Sequence, residues 1–538
     1  MARLPSGVVR AWHGLESFAE SRRAAPSLFV AALALYALVS IGVPLAAGRD
    51  LGNYLVVYSQ LFQEHVVFPQ PVLARTPGTP LVAGGLLDAG PIVAEAGAGL
   101  LYAASILAWC SVARRIGPGV AVATAAALLA YPGYVLLFHR LSSDMLFAAG
   151  FAFLAVLVSR AAELPSAGRA AALGAGVVGL ILLRPVSQAL LLLALLPLVL
   201  APSWRARIQG TAAFAVAALI PLAALWAHNG VRLDDYAVVR GGGASVPLFR
   251  AFVVDRIVKP ENGPASLELA RAVRRDLLPN EPYRSYGIDL ERFFSSGSAR
   301  MQEDLVGLSD RTWGWDDDYS RLGRVGREAV LEHPGAYARG VARDFRRLLW
   351  WPLFVEITAP GEAGAGAEKS PVIFVDGRRL PRPTEGEPIP AARQSGFVST
   401  PDRRLREVWT SPTEHRLVYR DPEDAARGAA VFRKLDELLS NFPDRDARPE
   451  LAERLNQLSR WYPRPFFWLL VGLAAVAIRR PRRVGAPLVL SASALLLLLT
   501  TALAVYAVAE YAVPVAPAFV VLAAAGVFGE RRGAAAPS

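Results

Sequence analysis

Long stretches of this chain lack charged residues almost completely. They lie between Pro26 and Trp226 and again between Phe466 and Phe528, whereas the part between them, about 229–459, is rich in Arg, Asp and Glu. Charged residues make up 19% of the 538 residues and the mean hydropathy is +0.33, against about 25% charged residues in an average soluble protein. Because a helix needs about 20 apolar residues to cross roughly 30 Å of hydrocarbon, this composition excludes a soluble globular enzyme and predicts two membrane parts separated by a polar insertion.

Cysteine and histidine are too scarce for the sites that they usually form. The only cysteine, Cys110, lies in an apolar run, so no disulfide within the chain is possible and the polar domain must be held together by packing. The six histidines are scattered and form no HExxH motif, so the sequence predicts no zinc site. The three glycines at 241–243 lack a Walker lysine, which argues against a phosphate-binding loop for nucleotides.

The net charge of +11 has two interpretations. Such a chain binds nucleic acid, or its positive charge lies in short cytoplasmic loops and orients the membrane helices. The arginines cluster between apolar runs, as the second interpretation requires. We therefore expect the lipid bilayer, and no nucleic acid, among the partners of this chain.

The apolar runs predict about ten membrane spans. Those before the polar domain include a hairpin that is broken at Arg184-Pro185. The predicted spans cover 26–47, 91–113, 117–137, 142–159, the two halves of 170–201, 208–228, 463–478, 485–505 and 507–528. The expected fold class is an all-α polytopic membrane domain with a mixed or mostly α extracytoplasmic domain.

Dense basic loops decide the orientation of these spans. With the N-terminus inside, every such loop falls on the cytoplasmic side. If the broken hairpin were a single span, the last three basic clusters along the chain would lie outside instead. The clusters are Arg22-Arg23, Arg114-Arg115, Arg160 with Arg169, Arg205 with Arg207, Arg479 to Arg483, and Arg531-Arg532. The sequence thus predicts a cytoplasmic N-terminus (1–25), an N-terminal membrane domain (26–229), an extracytoplasmic domain (230–460), C-terminal spans (461–529) and a cytoplasmic tail (530–538).

The longest outer loop of the membrane domain, 48–90, begins with an acidic residue at the membrane edge. Asp50 follows the first span directly, and Tyr54, Tyr58 and Phe62 recur at four-residue spacing. That spacing would place three aromatic rings on one face of a helix. Two functions for Asp50 stay open, a carboxylate that takes part in chemistry or a simple N-cap of this helix.

Further ionisable and aromatic residues fall on the same predicted outer face. They are Arg75, His139, Arg140, Asp144, Arg184, Glu510 and Tyr511. Ionisable residues at membrane depth are costly and usually functional. Together, carboxylates and arginines on one face would bind a phosphate and supply a base. Taken singly, each arginine would merely extend its charge to the membrane interface.

The polar domain contains one segment suited to sugar binding. In Trp313-Gly314-Trp315-Asp316-Asp317-Asp318, the indoles would stack on a sugar while the carboxylates accept hydrogen bonds from it. An acidic loop with two buried tryptophans is an equal alternative. On the first interpretation, Trp313 and Trp315 would contact the acceptor.

The membrane part resembles the GT-C superfamily of glycosyltransferases. The matching features are an Asp soon after the first span, a Pro-rich segment ending the long outer loop, Ser-x-Asp opening the fourth span, the break "LILLRP" and the late "AEYAVPVAPAF". The resemblance is greatest to the bacterial branch related to protein O-mannosyltransferases and to lipid A aminoarabinose transferases. In this sequence the His-Pro-Pro of that branch is replaced by "RTPGTP", and its Arg-Tyr in the last span by Glu510-Tyr511.

This resemblance implies an inverting enzyme in a bacterial cytoplasmic membrane. Asp50 would be the base that deprotonates an extracytoplasmic acceptor, and the donor would be a sugar linked to polyprenyl phosphate. Arginines such as Arg75, Arg140 and Arg184 would bind the donor phosphate. Asp144 would position donor or acceptor, or join Asp50 around Mg²⁺ or Mn²⁺, since these ions prefer oxygen ligands. The other candidate substrate contacts are Tyr54, His139, Glu510 and Tyr511.

Two other functions are compatible with a polytopic chain. A transporter or lipid flippase would have polar residues at the middle of its spans and broken helices in both halves, whereas here the polar residues gather at one face. A non-catalytic assembly subunit with the same fold is the third alternative. The sugar, the acceptor and the linkage are not encoded in any motif of this sequence.

Overall fold

The structure is a computed structural model that describes residues 6–352, 355, 374–375, 378–379, 405–409, 415–445 and 448–531. Within these residues the chain is mostly helical, and its strands form three two-stranded sheets. Of the predicted C-terminal tail, 530–538, only Glu530 and Arg531 are described. The all-α class expected from the sequence is confirmed for this part of the chain.

Within the described residues, twelve α-helices precede the polar domain. They are α1 (Ser6–Glu20), α2 (Ala24–Ser40), α3 (Leu51–Tyr58), α4 (Pro69–Ala74), α5 (Gly78–Asp88), α6 (Pro91–Arg114), α7 (Pro118–Leu129), α8 (Pro132–Leu137), α9 (Ser143–Glu163), α10 (Ala167–Leu183), α11 (Leu196–Leu200) and α12 (Trp204–Leu233). A 3₁₀ helix, Pro185–Leu195, lies between α10 and α11. Two short strands, β1 (Ala46–Ala47) and β2 (Arg140–Leu141), form a parallel pair.

The remaining helices build the polar domain and the C-terminal membrane part. They are α13 (Gly242–Ser245), α14 (Pro264–Ala272), α15 (Leu290–Ser295), α16 (Ala299–Trp313), α17 (Ser320–Glu332), α18 (Pro334–Trp350), α19 (Pro422–Ser440), α20 (Pro449–Trp461), α21 (Pro465–Arg479), α22 (Gly485–Ala504) and α23 (Ala516–Phe528). Strands β3 (Phe374–Val375) and β4 (Arg378–Arg379) form one antiparallel pair, and β5 (Leu405–Trp409) and β6 (His415–Tyr419) form another.

Five helices in the described residues are long and apolar enough to cross a membrane. They are Pro91–Arg114, Ser143–Glu163, Trp204–Leu233, Pro449–Arg479 and Gly485–Ala504, and a bent pair, Val9–Glu20 with Ala24–Ser40 at 105°, raises the number to six when it is counted as one span. The other predicted spans consist of shorter apolar helices. Proline explains their interruption, because it removes a backbone donor and clashes with the preceding turn. Pro132, Pro185, Pro197 and Pro517 each lie in one of these divided spans.

The predicted break in the hairpin is present. Helix α10 ends at Leu183, and Arg184 has an extended backbone with φ −152° and ψ 115° before Pro185 begins the 3₁₀ helix. The residue before a proline is disfavoured in the helical region. The sequence therefore places Arg184 at the end of one helix and the start of the next.

Basic loops from both membrane parts meet at one end of the helices. Arg483 donates to the carbonyl of Arg115 at 2.9 Å, and the backbone amide of Arg482 donates to the carbonyl of Glu530 at 2.9 Å. Arg114 donates to the carbonyl of Glu20 at 2.8 Å. This gathering is the arrangement that the prediction of a single basic face requires.

The polar domain packs on the opposite end of the helices, which we call the domain side. The amide of Arg448 donates to the carbonyl of Gly42 at 2.7 Å, and Asn441 donates to that of Leu87 at 3.0 Å. At another point, Tyr462 donates to the carbonyl of Ala127 at 3.0 Å. These contacts, the last of them from the start of the C-terminal membrane part, satisfy carbonyl groups near the ends of α2, α5 and α7.

A buried arginine fixes the domain to α22. Arg250 is fully buried and pairs with Asp255 at 2.9 Å and Asp344 at 3.1 Å. The same guanidinium donates to the carbonyl of Ala502, and to that of Val505 at 3.1 Å. Because the last carbonyls of a helix have no partner within it, Arg250 caps the C-terminus of α22 from the domain.

Candidate functional site

The short strand pair brings two loops of the domain side together. Next to β1 and β2, the amide of Gly48 donates to the carbonyl of Leu141 at 3.0 Å. A Cβ atom on Gly48 would lie 2.6 Å from that of Ser142, so only glycine allows this approach. The loop that carries Asp50 therefore lies beside the start of α9, which carries Asp144.

Asp144 and Arg184 form an ion pair at the domain side. Asp144 lies in the first turn of α9, where Ser142 caps the helix by accepting from the amide of Met145 at 3.2 Å. Its carboxylate pairs with the guanidinium of Arg184, and both side chains are largely buried. The N-terminus of a helix favours a negative charge, and pairing offsets the cost of burying each group. Asp144 thus holds Arg184 in place at the hairpin break.

Tyr511 lies against two guanidinium groups. The guanidinium carbon of Arg184 lies 4.8 Å from the centroid of the Tyr511 ring, and that of Arg49 lies 5.7 Å from it. Arg49 also donates to the hydroxyl of Tyr506 at 3.4 Å. Cations are attracted to the face of an aromatic ring, so this ring keeps two positive charges near each other.

Glu510 completes the cluster from the segment between α22 and α23. It is buried in the 3₁₀ turn Ala509–Ala512. Its carboxylate interacts electrostatically with Asp144, Arg49, Arg140 and Arg184. Arg140 is itself buried, and its guanidinium donates to the carbonyl of Ala47 at 3.5 Å. Three arginines against the two carboxylates of Asp144 and Glu510 leave an excess of one positive charge (3 − 2 = 1), which suits an anion.

Asp50 occupies the N-cap position of α3 without capping it. Its backbone is left-handed, with φ 58° and ψ 9°, and its side chain accepts no capping hydrogen bond. A left-handed aspartate is uncommon and costs conformational energy. The residue is exposed, and among the described residues its carboxylate has no hydrogen-bond or ion-pair partner. The side-chain capping alternative is therefore wrong, and the carboxylate is available to a ligand.

Arg75 reaches the same region from the end of α4. Its guanidinium carbon lies 5.5 Å from the ring centroid of Tyr54, a buried residue of α3. Tyr54 in turn interacts electrostatically with Arg184. The Nε atom of Arg75 is buried and has no hydrogen-bond partner among the described residues. An unpaired buried donor is costly, so this atom is suited to contact a bound anion.

The Pro-rich segment after Arg75 packs directly on the hairpin break. The hydroxyl of Thr79 donates to the carbonyl of Leu183 at 2.8 Å. A Cβ atom on Gly78 would lie 2.5 Å from the carbonyl oxygen of Leu182. These contacts fix the position of the loop that carries Arg75 relative to Arg184.

One aromatic prediction for this loop is wrong. Helix α3 ends at Tyr58, so Phe62 does not continue the face of Tyr54, and it is 80% exposed. Tyr58 instead donates to the carboxylate of Asp88 at 3.1 Å. Four-residue spacing predicts a common face only while the helix continues, and here α3 is too short.

His139 lies in the core behind the cluster. It is fully buried, its ring stacks on Tyr36 with centroids 4.1 Å apart, and its two ring nitrogens lie 3.2 Å from the hydroxyl of Ser40 and 2.9 Å from the carbonyl of Val135. Both nitrogens are thus occupied by protein groups. The expectation that His139 binds substrate has no support in this arrangement, which is that of a structural histidine.

Trp313 and Trp315 both contact other residues of the polar domain. Trp315 is 7% exposed, and the guanidinium carbon of Arg240 lies 3.7 Å from its ring centroid. Trp313 donates from Nε1 to Glu268 at 2.9 Å, and Arg321 lies 5.6 Å from its ring centroid. Trp315 is therefore buried, as the alternative interpretation expects, whereas Trp313 is half-buried and already contacts Glu268 and Arg321.

The described residues do not fit the Mg²⁺ or Mn²⁺ site that the resemblance implies around Asp50 and Asp144. No group of three or more His, Cys, Asp or Glu side chains in the described ranges is arranged to hold a metal ion. Asp144 is instead paired with Arg184. We therefore assign no catalytic step to a metal.

Arg49 is the main site residue that the sequence analysis did not single out. It stands between Gly48 and Asp50. The signal that would have found it is the glycine before it, which marks a close backbone approach. Its contacts with Tyr506 and Tyr511 become apparent only when the segment after α22 is placed.

Comparisons with known proteins give one structural similarity. No protein-family model and no curated protein matches the chain. A crystal structure described as ArnT from Cupriavidus metallidurans bound to undecaprenyl phosphate is similar over 95% of this chain and 78% of that chain, with 16% sequence identity and a TM-score of 0.32. A score this low allows no residue or ligand of that structure to be placed on this chain.

Proposed function

We propose that this chain is a membrane glycosyltransferase that uses a sugar linked to polyprenyl phosphate and acts at the domain side. The observation that carries the proposal is the cluster of Arg49, Arg140 and Arg184 around the carboxylates of Asp144 and Glu510, with the exposed carboxylate of Asp50 next to Arg49 in the chain. This combination offers an anion site and a base within one set of packed loops.

The reaction would be a single displacement with inversion. Asp50 takes the proton of an acceptor hydroxyl, and the oxygen attacks the anomeric carbon of the sugar from the face opposite the phosphate. The bond between that carbon and the phosphate oxygen breaks, and polyprenyl phosphate leaves with the electron pair. A general base of this kind contributes about 10²–10⁴-fold to a rate.

The arginines would bind the donor and stabilise its departing phosphate. One edge of the Arg184 guanidinium pairs with Asp144, which leaves further N–H groups for a ligand, since guanidinium has five. Arg75 contributes a buried Nε without a partner among the described residues, and Arg49 lies near the same Tyr511 ring as Arg184. Charge-assisted hydrogen bonds to phosphate strengthen as negative charge develops on the leaving group.

The position of the site suits a lipid substrate. A polyprenyl donor cannot leave the bilayer, so its phosphate must be bound where membrane helices end. We therefore propose that the domain side faces the exterior of the cytoplasmic membrane and that both termini are cytoplasmic, in line with the basic loops at the opposite end. The acceptor, whether glycolipid, polysaccharide or protein, would reach the site from the exterior.

The test is transfer from a polyprenyl-phosphate sugar by the purified full chain in nanodiscs. Asp50→Asn should lower the rate at least about 10²-fold while the thermal midpoint stays unchanged. Asp234→Asn is the matched control, because Asp234 is another left-handed aspartate, with φ 53°, at the end of α12. Near-normal transfer by Asp50→Asn would overturn the role of this residue.

A second arm separates donor binding from chemistry. Arg184→Gln should weaken donor binding about tenfold or more, the value of one charge-assisted hydrogen bond. Arg464→Gln is the control, because Arg464 lies 5.6 Å from the ring centroid of Trp350 at the start of α21 and not in the cluster. Equal affinities in both variants would remove Arg184 from the donor site.

A further inference from the structure

A second polar site lies apart from the cluster, in a groove between α2 and α6. The groove has a volume of about 460 Å³ and is walled by apolar residues of the two helices, including Leu33, Ile92 and Gly99. Residues 443–445 of the polar domain close it at the domain side. Tyr36 forms part of its wall and stacks on His139, so the groove lies behind the structural core of the candidate site.

Glu95 is a carboxylate of the apolar helix α6 that lines this groove. It lies in the second turn of α6 and is 9% exposed. One of its oxygens pairs with the guanidinium of Arg445, while Oε1 is buried and has no hydrogen-bond partner among the described residues. An acidic side chain in a membrane helix is costly and marks a functional site by default. The buried oxygen still requires a donor.

The charges of the groove select the kind of ligand. Glu95 and Asp444 supply negative charges and Arg445 supplies a positive charge, so the groove presents charges of both signs. A ligand that offers an ammonium group to the carboxylates and a phosphate to the arginine would satisfy both signs. The apolar walls belong to membrane helices, so they favour hydrocarbon chains beside the same headgroup.

We propose that this groove binds a phospholipid whose zwitterionic headgroup carries a primary ammonium group. Its ammonium donates to Glu95 and Asp444, its phosphate accepts from Arg445, and its chains lie along α2 and α6. A trimethylated ammonium carries the same charge but has no N–H to donate, and a glycerol headgroup has no cation. The proposal is independent of the transferase function and of the cluster around Arg184.

The measurement is lipid binding to the purified full chain by native mass spectrometry. Phosphatidylethanolamine, phosphatidylcholine and phosphatidylglycerol with identical acyl chains are titrated separately. We expect the first tightly bound phosphatidylethanolamine to exceed phosphatidylcholine in affinity by about tenfold, the value of one charge-assisted hydrogen bond. Equal affinities for the three lipids, or a preference for phosphatidylglycerol, would overturn the proposal.

Variants locate the binding in the groove. Glu95→Gln should abolish the preference for phosphatidylethanolamine, and Ala96→Trp should abolish tight binding, because the exposed Ala96 lines the groove and a large ring would fill it. Glu163→Gln is the matched control, since it breaks the ion pair with Arg115 at 2.5 Å near the opposite end of the helices. If the Ala96→Trp variant still prefers phosphatidylethanolamine, the lipid does not bind in this groove. That result would refute the proposed location even if Glu95→Gln fails to fold.

Discussion

Replacement of Arg250 by methionine should destabilise the protein strongly. The guanidinium is fully buried, pairs with Asp255 and Asp344, and caps the carbonyls at the end of α22. Methionine has a similar length but no donor. The variant would leave two buried carboxylates without their central partner, together with two helix-end carbonyls.

The magnitude follows from what remains around the carboxylates. Removing one partner of a buried ion pair costs about 3–5 kcal/mol. Arg343 lies 3.6 Å from Asp255 and 3.4 Å from Asp344, and it is partly exposed, so it compensates in part. We therefore expect about 3 kcal/mol. For a domain of 150–250 residues, with about 2–4 °C per kcal/mol, this loss lowers the thermal midpoint by about 6–12 °C.

The loss should also depend on pH. Burial raises the pKa of Asp255 above its ordinary value, although Arg250 opposes this shift. Without Arg250 the pKa rises further, and a carboxyl group with a raised folded-state pKa favours the folded state at low pH and loses that contribution as pH rises through this pKa. The difference between the variant and the wild type should thus be smaller at about pH 5 than at about pH 8.

The assay is thermal unfolding in detergent, followed by intrinsic fluorescence. A triple variant, Arg250→Met with Asp255→Asn and Asp344→Asn, is the internal control, because removing all charges of a buried network costs less than removing one partner. The triple variant should recover at least half of the decrease in thermal midpoint that Arg250→Met causes. A single variant within about 2 °C of the wild type, or a triple variant below the single one, would refute the reasoning.

Two further predictions concern packing and orientation. Gly78→Val should lower both stability and transfer, because its side chain would collide with the carbonyl of Leu182. Gly85→Ala in the same helix has no atom within 4 Å of its new Cβ and should be neutral. The thermal midpoint and the transfer rate of each variant are the measurements. In a Cys110→Ala background, a cysteine at the exposed Arg275 should react with an impermeant maleimide in intact cells, and one at Arg482 should not. Labelling at Arg482 alone would invert the proposed orientation.

The apolar runs predicted where the membrane helices lie, but not how many of them are continuous. Hydropathy reports the transfer of side chains into hydrocarbon, so it identified α6 and α22 almost to the residue, and the start of α9, although α9 continues four residues beyond the predicted end of its span. It is insensitive to a proline that divides an apolar run. Hydropathy therefore predicts the runs at 117–137 and 507–528 as single spans. The first is divided into α7 and α8, and the second into a 3₁₀ turn and α23.

The site was predicted where charge at membrane depth was itself the signal. Asp144, Arg184, Glu510 and Tyr511 were named because polar residues in such places are costly, and the structure brings them together. His139 carries the same signal, but the structure shows it to be a core residue. Sequence alone does not show whether neighbouring groups already occupy the nitrogens of its ring. Its partners lie on α2 and α8.

Docking of the polar domain and assembly of the cluster depend on the same segment. Arg250 binds the carbonyl of Val505, and the next residue, Tyr506, accepts a hydrogen bond from Arg49. Glu510 and Tyr511 follow within the same connection between α22 and α23. Because these contacts are separated by so few residues, release of Val505 would let the segment that carries the Tyr511 ring move away from Arg184. The Arg250→Met variant should therefore lose donor affinity at temperatures where it is still folded, and unchanged affinity there would show that the domain does not position the site.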